Sequence, residues 1–199
     1  MSSLADSVVN QMTQLFADQG AKAYLGESVT MAEHMLQGAW LAEQQGESDE
    51  IIIAALLHDI GHFAGGRGVF SLQDTEDRCH EATGSALVAR HLPPVVVDSI
   101  REHVAAKRYL CATQPEYAAC LSKASQHSLR LQGGPMSAEE VEDFARHPHL
   151  DAILKVRHFD DAGKEPGQWT PGFDHFAPRL RRLVEAHHAA VTNTLEKRG

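Results

Sequence analysis

Apolar residues along this chain recur three and four positions apart, the spacing of one helix face, and they nowhere alternate in the two-residue rhythm of a strand. Leu4, Val8, Met12, Leu15 and Phe16 make one such stripe. Thr30-Met31-Ala32-Glu33 has the form of a capping box, opening a helix expected to run to about Gln45. Ser48 is placed to cap a third helix, Asp49 to about Phe63, whose acidic first residues suit the helix dipole. Further helices are expected over about 80–91, 94–109 and 115–130. Ser137-Ala138-Glu139-Glu140 is a second capping box, ahead of a helix near 138–146, and two more helices follow over about 149–160 and 174–195. The pattern predicts an all-α helical bundle, one domain over 1–199. Two stretches interrupt it. The segment 64–79, with Gly65, Gly66 and Gly68, reads as a long loop, and Gln132-Gly133-Gly134-Pro135 as a shorter one.

A chain of 199 residues buries roughly 70% of its unfolded surface, enough for a core without disulfides. Its net charge of −9 repels phosphate backbones, which argues against a nucleic-acid partner. The longest apolar run, 51–57, is far shorter than the ~20 residues of a membrane span. The first residues carry Asp6 and no basic run ahead of an apolar one, so they do not read as a signal peptide. Cys79, Cys111 and Cys120 are an odd count without metal-type pairing, as expected in a reducing cytoplasm. The 13 histidines are the compositional excess, and they point to metal chemistry.

The sharpest local feature is Leu57-His58-Asp59-Ile60-Gly61-His62, at the end of an otherwise apolar helix. A carboxylate between imidazoles in such a place is costly unless a cation offsets it. For a lone His-Asp pair the simpler reading is a hydrogen bond within the core. This pair is not alone. His34 lies inside the preceding helix, His80 opens the helix after the glycine-rich segment, and His103 stands four residues before Lys107. Arg157, Asp160 and Lys164 follow one another at helical spacing. Imidazoles on separate helices of a bundle are a common way to build a metal site. His91, His127, His147, His149, His158, His175, His187 and His188 fall on polar or terminal segments and are expected to face solvent. Trp40 and Trp169 read equally as packing or as pocket residues.

The order His34, His58-Asp59, Asp160 resembles the signature of the HD-domain superfamily. His80 and His103 match the two further histidines of its dinuclear members. The ending Arg157-His158-Phe159-Asp160-Asp161-Ala162-Gly163-Lys164 looks like the final Asp motif of the mixed-valent di-iron oxygenases, myo-inositol oxygenase among them. Tyr24 and Glu27 ahead of the first His, and His62 after the His-Asp pair, bring the chain close to the organophosphonate-cleaving members.

The resemblance implies a cytoplasmic dioxygenase with two irons, Fe(II)/Fe(III), held by His34, His58, Asp59, His80, His103 and Asp160, with Asp59 bridging. It implies a small-molecule hydroxyphosphonate and O2 as substrates, 1-hydroxy-2-amino- or 1-hydroxy-2-(trimethylammonio)ethylphosphonate, cleaved to glycine or glycine betaine plus phosphate. Asp59, His62 and Lys107 are the expected catalytic residues. Lys107, Arg157, His62, Ser125 and Ser128 would bind the phosphonate, and Tyr24 and Glu27 the amino or ammonio end. Tyr24 is also expected to hold an iron position before substrate arrives, and Lys164 to support Asp160. Two rivals use the same ligands: an HD phosphohydrolase of a nucleotide or other phosphoester, and a non-catalytic metal-dependent sensor.

Overall fold

Capping chemistry sets where the helices begin. In α1 (Leu4–Gln19), α2 (Met31–Gln44) and α9 (Ala138–Phe144) the hydroxyl of Ser3, Thr30 or Ser137 accepts the third backbone N–H, while Asp6, Glu33 or Glu140 reaches back to the cap. The remaining helices are α3 (Asp49–Leu57), α4 (Gly61–Ala64), α5 (His80–Val88), α6 (Pro94–Thr113), α7 (Pro115–Cys120), α8 (Lys123–Leu131), α10 (Leu150–Ala162) and α11 (Phe173–Glu196). The computed structural model describes residues 3–22, 24, 27–64 and 75–197, and among these are eleven helices and no strand. The expected loop at Gly65, Gly66 and Gly68 lies outside the described residues.

α3 is the centre of the bundle. Ile51 through Leu57 are all buried, because the helix is wrapped by α2, α6, α10 and α11 and has no solvent face. α1 and α11 close the far side, with Arg181 paired to Asp6, and Arg179 to Glu43 and Asp49. Among the described residues no helix is long and apolar enough to cross a membrane.

Three expectations need correction. The helix expected from Asp49 to Phe63 is broken by a turn at His58-Asp59-Ile60, and Ser48 occupies the cap position without a side-chain cap bond. The helix expected over 115–130 is two helices, since Leu121 is extended and Ser122 caps α8 by accepting from the Ser125 N–H. Leu4 is 50% exposed, and the buried face of α1 is Ala5, Val8, Val9, Met12 and Phe16.

Two glycines let the site-bearing segments close up. A Cβ on Gly61 would stand 1.9 Å from the His80 carbonyl oxygen, so only glycine lets α4 and α5 approach there. A Cβ on Gly163 would stand 2.8 Å from the His34 carbonyl oxygen, where the end of α10 crosses α2.

Candidate metal centre

Backbone carbonyls aim the imidazoles. His34 Nδ1 donates to Gly163 O, His58 Nδ1 to Ala55 O and His103 Nδ1 to Ile100 O, each at 2.8 Å. With a proton fixed on Nδ1, the neutral form of each ring presents its Nε2 lone pair. His34 Nε2 lies 3.0 Å from His58 Nε2, and His80 Nε2 lies 3.0 Å from His103 Nε2. Lone pairs that face each other so closely repel unless a cation or proton lies between them.

The carboxylates complete two groups. Asp59 Oδ2 is 3.6 and 3.5 Å from His34 and His58, and its Oδ1 is 3.0 and 3.4 Å from His80 and His103. Asp160 Oδ1 is 3.3 Å from His34 Nε2 and 3.8 Å from His58 Nε2, and it is buried without a hydrogen-bond partner. An unpaired buried carboxylate oxygen beside two imidazole lone pairs fits a divalent cation. Edges of about 3 Å are those of a coordination shell with bonds of about 2.1 Å. The residues therefore fit two metal ions, His34, His58 and Asp160 around one, His80 and His103 around the other, and one oxygen of Asp59 toward each.

Charge in the two groups is finely divided. Burial pulls His34 and His103 below the ordinary imidazole value. Burial also acts on His58, but Asp59 and Asp160 outweigh it and push that ring up to about 9. Asp59 likewise holds His80 above its ordinary value. Burial works against ionising Asp59 and Asp160, yet both stay well below the usual carboxylate range. The neighbouring His58 and His80 do this for Asp59, and Arg157 and His58 for Asp160.

A narrow pocket opens onto these groups. Lys107, on the His103 face of α6, lines it and donates to Ser128 Oγ at 2.8 Å. Burial, with Arg157 adding to it, brings the Lys107 amine down to about 7. Ser125 Oγ accepts from Lys164 Nζ at 3.2 Å. Both serines are buried on α8 rather than facing solvent. His62 stacks on His80 with ring centroids 4.1 Å apart, and burial drives it down to about 3, so it is neutral. Tyr24 stacks on His34 at 4.0 Å, and burial reinforced by Asp59 and Asp160 keeps its phenol protonated.

The structure departs from the sequence reading at several of these residues. Arg157 lines the pocket, but three of its donors are taken: Nη1 lies 2.6 Å from Asp160 Oδ2, Nε donates to Asp161 Oδ2 at 3.0 Å, and Nη2 pairs with Asp161 Oδ1. It is not an open fork for a phosphonate. Glu27 does not line this pocket with Tyr24. It accepts from Ser122 Oγ at 2.6 Å and borders an adjacent cavity with Tyr117, His158, Asp161 and Lys164. Lys164 Nζ stands 3.8 Å from Asp160 Oδ1 and 5.9 Å from the Tyr24 ring centroid, in the wall between the two spaces. His147 and His149 are half-buried against Asp98, with His149 Nδ1 at 2.8 Å from Asp98 Oδ2. That contact bridges distant positions and left no signal in local spacing. Trp169 is 71% exposed and meets the half-buried Trp40 edge to face at 6.0 Å.

Comparison with known proteins agrees with this architecture. The HD domain family matches residues 31–141. The chain is 54% identical over 184 residues, 92% of its length and 94% of the relative's, to the [1-hydroxy-2-(trimethylamino)ethyl]phosphonate dioxygenase (glycine-betaine-forming) of Leisingera caerulea. It is 37% identical over 183 residues, 89% of its length and 88% of the relative's, to the hydroxymethylphosphonate dioxygenase of Gimesia maris. An uncharacterised protein of Acanthamoeba polyphaga mimivirus is 37% identical over 197 residues, 94% of this chain and 84% of that one.

Proposed function

The chain belongs to the HD-domain family, and from that premise we propose that it is a di-iron dioxygenase. It would cleave the C–P bond of 1-hydroxy-2-(trimethylammonio)ethylphosphonate with O2, giving glycine betaine and phosphate. The observation that carries this reading is 54% identity across 92% of the chain to a relative named for that reaction. The two His pairs on either side of Asp59 support it as a dinuclear donor set. Irons bound there supply Lewis acidity toward the substrate hydroxyl and phosphonate, and the redox partner that O2 requires.

The chain's own residues bind and orient. Lys107 is a buried cation source facing a dianionic group, and binding of the phosphonate favours its ammonium form. Ser125 offers a hydroxyl beside Lys164, while Ser128 accepts from Lys107 and itself donates to Ser125 O at 3.1 Å, which holds the lysine in place. Neutral His62 offers an N–H without adding charge beside the second group. Tyr24 lines the pocket and offers its ring to the ammonio end, while Glu27 adds its charge from the adjacent cavity, behind Tyr24 and Lys164. Burial around the groups excludes bulk water and so limits competing hydrolysis.

The test is iron-loaded protein exposed to O2 with the trimethylammonio and the amino hydroxyphosphonate in parallel, following phosphate release and O2 uptake. O2-dependent phosphate from the trimethylammonio compound supports the reading. Phosphate released from phosphoesters without O2, and equally with manganese, overturns it in favour of a hydrolase.

A further inference from the structure

Asp160 uses its two oxygens differently. Oδ2 lies 2.6 Å from Arg157 Nη1, one helical turn earlier on α10, while Oδ1 faces His34 and His58. Which oxygen the guanidinium takes decides whether the other stays available. Arg157 is 3% exposed, and a guanidinium beside a carboxylate normally engages both oxygens with two parallel N–H groups. Here that fork is spent on Asp161, which receives Arg157 Nε at 3.0 Å and Nη2 as well. Asp161 is held in turn from a distant helix: the Tyr117 hydroxyl on α7 donates to its Oδ2 at 2.5 Å, and Lys164 Nζ is 3.7 Å from its Oδ1. Tyr117 and Asp161 border the adjacent cavity and do not line the pocket over the histidines.

We propose that Asp161 and Tyr117 are positioning residues for Asp160, acting through Arg157. The proposal rests on reading His34, His58 and Asp160 as a metal site. By occupying the guanidinium fork, Asp161 confines Arg157 to one oxygen of Asp160 and leaves the other for the cation. Tyr117 fixes the plane of the Asp161 carboxylate so that the fork stays closed. Without that partner, Arg157 turns onto both oxygens of Asp160 and competes with the metal for them. Partners one step behind a metal ligand commonly carry about 10–100-fold in metal affinity.

The experiment is titration of the metal-free chain with Co2+, read by visible absorption and calorimetry. Wild type is expected to bind two ions. Asp161→Asn should weaken one of the two by about 10–100-fold and shift its visible bands, leaving the other unchanged. Adding Arg157→Gln to Asp161→Asn should restore that affinity, a recovery that a purely structural role for Asp161 would not produce. Wild-type titration of Asp161→Asn, or a double variant no tighter than the single one, overturns the proposal. Should Asp161→Asn lose its helical circular dichroism, Tyr117→Phe decides, with a few-fold weakening and a band shift expected and an unchanged titration overturning it. Wild type that binds no Co2+ sinks the metal-site reading itself and the proposal with it.

Discussion

A buried lysine with a hydroxyl for its hydrogen-bond acceptor is poised differently from one in an ion pair. Lys107 donates to Ser128, and burial brings its amine down to about 7, so a bound anion would favour its charged form. Lys107→Ala should raise KM for the hydroxyphosphonate about 10–100-fold with a smaller effect on kcat, the scale of one charge-assisted hydrogen bond. The sign of its pH dependence follows. The ammonium form predominates below pH 7, so the affinity ratio of wild type to Lys107→Ala should be largest below 7 and shrink above it. Unchanged kinetics in the variant would remove Lys107 from anion binding. At the second centre, His80→Ala or His103→Ala should each lose one metal per chain while helical circular dichroism persists. Retention of two metals by either variant would reject the grouping of His80 and His103 with Asp59.

At the scale of elements, the site depends on where helices stop. α3 ends at Leu57, and His58 and Asp59 lie buried in the turn before α4 begins at Gly61. Gly61→Ala places a methyl 1.9 Å from the His80 carbonyl, so α4 and α5 must separate. The expected cost is about 1–3 kcal/mol, the scale of overpacking, together with weaker metal binding at His80 and His103 and normal binding at His34 and His58. Per-site metal titration checks this, and equal loss at both groups would mean that the strain spreads beyond α5. The same turn shows what local pattern reports. Capping boxes at Thr30 and Ser137 are legible because every participating group lies within four residues. The break at 58–60 is not, since Ile60 and Phe63 continue the apolar pattern of α3 and are themselves buried. The His34, His58-Asp59, Asp160 order is legible as a sequence signature because it consists of residue types that a metal site requires. The Tyr117 hydroxyl on Asp161 is not, because it comes from 44 residues away, whereas Arg157 and Asp161 are only four apart on one helix.

For the whole molecule, metal, proton and folding are linked. His58 at about 9 exceeds the ordinary 6.5, so its proton stabilises the metal-free fold fully below 6.5, and that contribution is lost as pH rises through about 9. His80, raised in the same direction, behaves likewise at the other group. A metal needs both rings unprotonated, so each group must release a proton to bind it, and the competition fades as pH rises. Lys107 runs the other way: depressed from 10.5 to about 7, it makes the metal-free fold gain stability as pH rises between those values. A cation beside Lys107 further disfavours its ammonium form, so this proton too competes with the metal less as pH rises. At a free metal concentration about 100 times Kd, one ion stabilises by about 2.7 kcal/mol, or about 5–10 °C in Tm for a chain of this size. At a fixed, buffered concentration of free Mn2+, the rise in Tm on loading should therefore grow steadily from pH 6.5 to pH 9. A rise that is flat or shrinks across that window would mean that the protons on His58 and His80 do not compete with the cation, and that it binds elsewhere in the chain.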